Sequence, residues 1–180
     1  MKKIPDTRQM ILCAVFAAMT GAGALIAFPL PISPVPVTLQ NFFVLLSGAL
    51  LGAYSGAVSQ LIYLAMGIMG LPVFAKGSAG PGVLMGPTGG YLAGFVPASF
   101  FVGLLLEKTR SRSLSVISGT MVFGLAVIYI FGTLWLMFVT RLGPVPAVSA
   151  GVLPFLVPDL AKAFLAALVV RKMKGRIRAK

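Results

Sequence analysis

Six runs of apolar residues, most near the roughly 20 needed for a helix to cross a bilayer, alternate with segments rich in proline, glycine or basic charge. Such a chain cannot clothe itself for water. Of its 180 residues 58% are hydrophobic and 10% charged, with a mean hydropathy of +1.01, and a soluble domain needs a charged surface. The expectation is an all-α integral membrane protein with the lipid bilayer as its solvent.

The runs cover residues 10–28, 38–53, 55–71, 91–106, 114–140 and a last one from about Pro158. We read residues 1–180 as a single six-helix membrane domain. Lys2 and Lys3 before an apolar run and small residues at 21–24 resemble a signal peptide. The run continues to Phe28 and the rest is equally apolar, so it reads as the first membrane helix.

Six crossings put both ends on one side, and the basic residues test that arrangement. Three lie in the lead (Lys2, Lys3, Arg8), three after the fourth run (Lys108, Arg110, Arg112) and six after the last run. The opposite side receives Lys76 and Arg141, and Lys162 lies within a run. Cytoplasmic segments are the basic ones, so both termini are expected inside, in the cell membrane. The three Pro/Gly-rich connections, 29–37, 72–90 and 141–158, then fall on the outer face. They form a lid over the starts of the second, fourth and sixth helices, which makes an outward-facing ligand pocket.

Composition removes several functions. There is no His and one Cys, Cys13, which excludes His-based acid–base catalysis, zinc sites and disulfide frameworks. Cys13 reads as a small helix-packing residue. The only acids are Asp6, Glu107 and Asp159, spread apart, so an enzyme has little to work with and no cofactor is called for. No G-x-x-x-x-G-K-[ST] stretch occurs. The net charge of +12 follows membrane sidedness, and no nucleic-acid partner is expected.

One stretch breaks the apolar rule. Pro158-Asp159-Leu160-Ala161-Lys162 places a carboxylate and an ammonium one helical turn apart inside the last run. Either would cost about 2.5 to 3.5 kcal/mol at a membrane helix centre, so both should face protein, a polar cavity, each other or a ligand. The bland alternative is a structural pair near a helix end that water partly reaches.

Other candidates also have two readings. Thr38 suits an N-cap, whereas Gln40 and Asn41 put amides on the inward side of a helix start. Tyr91 and Trp135 suit an aromatic belt as well as a ligand. Lys76 reads as a solvated loop charge. Ala14 and Ala18 form a small-xxx-small pair that permits close approach of another helix. An ammonium, a carboxylate, amides and an aromatic ring together suit a small molecule with a carboxylate and amide-like N–H donors. A passive channel would need polar residues along a full path, and the inner half has none.

Pro34-Val35-Pro36-Val37-Thr38-Leu39-Gln40, Gly70-Leu71-Pro72-Val73-Phe74, Gly86-Pro87-Thr88-Gly89-Gly90-Tyr91-Leu92-Ala93-Gly94-Phe95 and Pro158-Asp159-Leu160-Ala161-Lys162 resemble the BioY family over nearly the whole chain. Its members are biotin-binding substrate components of energy-coupling factor transporters. The resemblance implies capture of biotin from outside by a six-helix protein. It also implies partnership with a membrane-spanning coupling protein and two cytoplasmic ATPase subunits. By the same resemblance Asp159, Lys162 and Tyr91 belong to the biotin site, Thr38 and Gln40 lie in a family motif beside it, and Ala14 and Ala18 meet the coupling protein. A substrate component for another small carboxylated vitamin would keep the same architecture.

Overall fold

The computed structural model describes residues 7–109 and 113–177. Lys2, Lys3, Asp6, Arg110, Arg112, Arg178 and Lys180, which enter the charge-sidedness argument or the acid count, lie outside the described residues. The described chain is all-helical apart from one two-stranded ribbon. In order it comprises α1 (Thr7–Leu25), β1 (Ala27–Phe28), β2 (Val37–Thr38), α2 (Gln40–Leu51) and α3 (Ala53–Ile68). A 3-10 turn (Ala75–Gly77), α4 (Pro81–Met85), α5 (Gly89–Thr109), α6 (Leu114–Thr140), α7 (Pro144–Gly151) and α8 (Leu153–Ile177) follow.

Four of these helices, α1, α5, α6 and α8, are long and apolar enough to cross a membrane. The other two expected spans are shorter than their apolar runs: α2 has 12 residues and α3 has 16. At 1.5 Å per residue they measure about 18 and 24 Å, below the roughly 30 Å of a hydrocarbon core. Two local causes shorten them. Thr38 is drawn out of helix by its antiparallel pairing with Ala27. Gly52, at φ +88°, joins α2 to α3 as a single residue in a region closed to most side chains. The break between the runs 38–53 and 55–71 is therefore the single residue Gly52, and Gly56 lies inside α3. Glu107 secures this corner, its carboxylate accepting the Ala53 backbone N–H at 3.0 Å and satisfying one of the free donors of a helix start.

The last helix also differs from expectation, beginning five residues before Pro158. Pro154, its second residue, takes the early-turn position that favours proline. Pro158 sits in the interior, where its missing N–H is tolerable in a bundle that satisfies freed carbonyls from neighbouring groups. Asp159 and Lys162 are thus a full turn deeper than a helix begun at Pro158 would hold them. The connections expected as loops carry short elements of their own: the β1–β2 ribbon, α4 and α7.

At the centre stands α5, packed on α6, α3 and α2; α1 covers α2 and α3, and α8 closes against α6 and α2. Small residues set these distances. A Cβ on Gly48 would lie 2.2 Å from the Ser99 carbonyl oxygen, and one on Gly103 would lie 2.3 Å from the Ala53 nitrogen. With no hydrophobic force between helices in lipid, such backbone approach is a main source of their association.

A polar knot sits among these contacts. Gln60 Nε2 donates to Ser47 Oγ at 3.0 Å, to Ser59 Oγ at 3.1 Å and to Thr20 Oγ1 at 3.4 Å, and Ser47 and Ser99 share a hydrogen bond at 2.9 Å. The hydroxyls of Thr20, Ser47 and Ser59 give their protons to carbonyls of their own helices. The Gln60 amide therefore gathers α1, α2 and α3, with α5 joined through Ser99. Gly48→Val is expected to cost about 1 to 3 kcal/mol through overpacking. Gly119→Ala, whose Cβ meets nothing within 4 Å, should shift stability by under about 1 kcal/mol. Thermal unfolding of the detergent-purified variants measures both, and equal effects at the two sites would refute the packing account.

Candidate functional site

Asp159 is 2% exposed and Lys162 9%, and the two form an i,i+3 ion pair through Asp159 Oδ1 and Lys162 Nζ. The other carboxylate oxygen, Oδ2, accepts from Asn41 Nδ2 at 2.8 Å and from the Tyr129 hydroxyl at 2.7 Å. Lys162 also donates to the Thr38 backbone carbonyl at 2.7 Å. One carboxylate thus ties α8 to α2 and α6, and its counter-ion ties α8 to β2. A buried pair recovers its desolvation cost only when further hydrogen bonds satisfy both partners, and this one has three.

Asp159 lies against a cavity of about 210 Å³ at the end of the bundle where α2, α5 and α8 begin. Its polar lining comes from Thr38, Gln40, Asn41, Tyr129 and Asp159, with Lys76, Ser78 and Thr88 on the connecting segments. Val35, Leu92, Phe95 and Phe155 supply the apolar part, beside the ring of Tyr91. Pro34 and Pro36 form part of the wall, and proline fixes their backbone φ. The arrangement offers an anchored carboxylate for N–H donors and an apolar slot for an aliphatic or ring body.

Of the residues singled out from sequence, Asp159, Tyr91, Gln40 and Thr38 line the cavity; Lys162 does not. Its ammonium is engaged behind Asp159, so its part in the site is to hold the carboxylate. Tyr91 presents its ring, because its hydroxyl donates to the Gly151 carbonyl at 2.8 Å. Gln40 has both ends of its amide engaged, accepting from Thr38 Oγ1 at 3.0 Å and donating to the Tyr63 hydroxyl. Thr38 is not the N-cap of α2, a position Leu39 holds, although its hydroxyl accepts the Gln40 N–H at 3.4 Å. Trp135 is absent from the lining, and its indole donates to the Gly86 carbonyl at 3.0 Å, fastening the segment before α5 to α6. Ala14 and Ala18 are not in the lining and are exposed on one side of α1.

Lys76, read as a solvated charge, is exposed and also lines the cavity. Tyr129 was given no role from sequence. Its one signal was a phenol near the middle of an apolar run, where a hydroxyl needs a partner. Which partner depended on tertiary pairing across 30 residues. Replacing Lys162 by Met strips a buried carboxylate of its cation and is expected to cost about 3 to 5 kcal/mol. The double variant Asp159→Asn with Lys162→Met should recover more than half of that. Denaturant unfolding of these two variants and of Asp159→Asn alone gives the coupling, and a double variant no more stable than Lys162→Met would remove the ion pair as its source.

Known proteins resemble this chain over most of its length. The model of the BioY family matches residues 1–179. The biotin transporter BioY of Thermotoga maritima is 44% identical over 167 residues, covering 93% of this chain and 96% of the relative. The biotin transporter BioY of Rhodobacter capsulatus is 37% identical over 175 residues, covering 91% and 92%. Among solved structures, the crystal structure of the S-component for biotin from an ECF-type ABC transporter superposes with a TM-score of 0.86. It shares 28% sequence identity over 93% of this chain and 91% of that one. Members of the family are named as transporters rather than enzymes. The chain belongs to the BioY family.

Proposed function

We propose that this protein captures biotin and delivers it across the cell membrane as the substrate-binding component of an ECF-type transporter. The observation that carries the reading is the buried Asp159 carboxylate at the cavity wall, fixed by Asn41, Tyr129 and Lys162, in a chain of the BioY family. Biotin presents two ureido N–H donors, an apolar bicyclic body and an aliphatic tail ending in a carboxylate. An ionised acceptor makes stronger hydrogen bonds to such N–H groups than a neutral one, and pre-set donors on Oδ2 keep the carboxylate in place before ligand arrives. The ring of Tyr91 with Leu92, Phe95 and Phe155 suits the bicyclic body and tail. Thr38 and Gln40 act on the site mainly by holding its edge, given their bonds to each other and to Tyr63.

In this reading residues 1–180 are one membrane domain of six transmembrane helices with both termini in the cytoplasm. The cavity opens to the outside beneath the Pro/Gly-rich segments. The short α2 and α3 are compatible with six spans because α2 is enclosed by α1, α3, α5 and α8 and needs little lipid-facing length of its own. Basic residues at the ends and after α5 support the orientation. Partners would be a membrane-spanning coupling protein and two cytoplasmic ATPase subunits. The exposed Ala14 and Ala18 provide a flat strip on α1 for a coupling helix.

Asp159→Asn is expected to weaken biotin binding by about 100-fold, the worth of one or two hydrogen bonds to a charged group. Equilibrium titration of the purified protein decides it, and unchanged affinity would sink the assignment. Ala14→Trp should leave that titration unchanged while abolishing biotin uptake in cells that carry the coupling module. Normal uptake in that variant would remove α1 as the coupling surface.

A further inference from the structure

Two charged side chains line the cavity, Asp159 and Lys76. The charge of Asp159 is already balanced by Lys162, which lies outside the lining and is spent on that carboxylate and on the Thr38 carbonyl. The ammonium of Lys76 has no hydrogen bond or ion pair among the described residues. The cavity with its ion pair therefore carries one uncompensated positive charge, which a monoanionic ligand would neutralise.

The backbone at this position points the same way. Lys76 has φ +59° and ψ +27°, one of two non-glycine residues with positive φ among the described residues. Glycine or asparagine would occupy that left-handed conformation more readily, and such outliers collect at ligand clamps. The turn that holds it is firmly seated. Phe74 is 0% exposed, its ring packed edge-on to Tyr63 at 5.6 Å and in a slot that exists because residue 67 is glycine, where a Cβ would lie 2.1 Å from the ring. Hydrogen bonds from Phe74 N to Ser78 O at 3.1 Å and from Gly77 N to Phe74 O at 3.0 Å close the turn. Tyr63 in turn accepts from Gln40, so the Lys76 turn and the Asp159 side share an anchor. The main chain is fixed while the side chain remains unengaged.

We propose that Lys76 determines the charge specificity of the site: its ammonium receives the ligand's carboxylate while Asp159 holds the N–H donors. The protein thereby selects a free acid over its neutral amides and esters. The inference rests on the biotin reading above and adds a residue to it.

The test is equilibrium binding of biotin and of its neutral primary carboxamide to the full-length wild type, Lys76→Gln and Lys76→Arg. Wild type should bind the acid about tenfold tighter than the carboxamide, and Lys76→Gln should lose about that factor for the acid alone, as expected for a partly desolvated charge pair. Lys76→Arg should restore the preference. Equal affinity of wild type for both compounds overturns the proposal while leaving biotin capture intact. So does a Lys76→Gln variant that keeps its preference or weakens for both compounds alike. A folded wild type that binds neither compound overturns the biotin reading and this proposal with it.

Discussion

The ion pair of Asp159 and Lys162 is the interaction on which the ligand end of the molecule depends. Neither charge could remain in an apolar helix alone, and together they draw in Asn41 from α2, Tyr129 from α6 and the Thr38 carbonyl from β2. The positions of three elements are thereby set by the demand of one carboxylate and one ammonium for complete hydrogen bonding. The same groups that make the pair tolerable also present Asp159 to the cavity in one orientation. Stability and the polar wall of the cavity share the same atoms here, so the cavity is rigid where it is most polar.

Away from that end, close backbone contact takes over. Gly48 against Ser99 and Gly103 against Ala53 bring α5 onto α2 and α3 with no room for a side chain. The Gln60 knot then adds direction to an otherwise featureless apolar interface. Its hydroxyl partners have already used their protons within their own helices, so the amide is the shared donor. This division of labour leaves the large apolar side chains of α6 and α8, such as Phe138 and Val157, free to face lipid.

Much of this could be read from the chain. Apolar run length located all six principal helices and gave α6 its bounds, because lipid imposes a length that composition must meet. The isolated Asp159 and Lys162 pointed to a buried pair, since charge in an apolar run has few excuses, and the structure buries both. Other features were hidden for physical reasons. The early start of α8 turned on which of two prolines took the first turn, and both obey the same local rule. Tyr129 joined the site through a hydrogen bond between helices, which no local pattern encodes. Lys76 is exposed, as a solvated loop charge should be, and its place in the cavity lining depends on how the connections fold over the bundle, which no local pattern encodes. The roles of Gln40 and Tyr91 likewise depended on partners, Tyr63 and the Gly151 carbonyl, that only packing supplies.

The shortness of α2 has a consequence of its own. At 12 residues it extends about 18 Å, while α6 with 27 extends about 40 Å. The cavity lies against the first residues of α2, Gln40 and Asn41. A ligand seated there would have beneath it a layer nearer the length of α2 than that of α6. A voltage or an ion gradient across the molecule would fall mostly over that remaining layer. The bound molecule would then sit near the potential of the open side, and its charge would be little disturbed by the field.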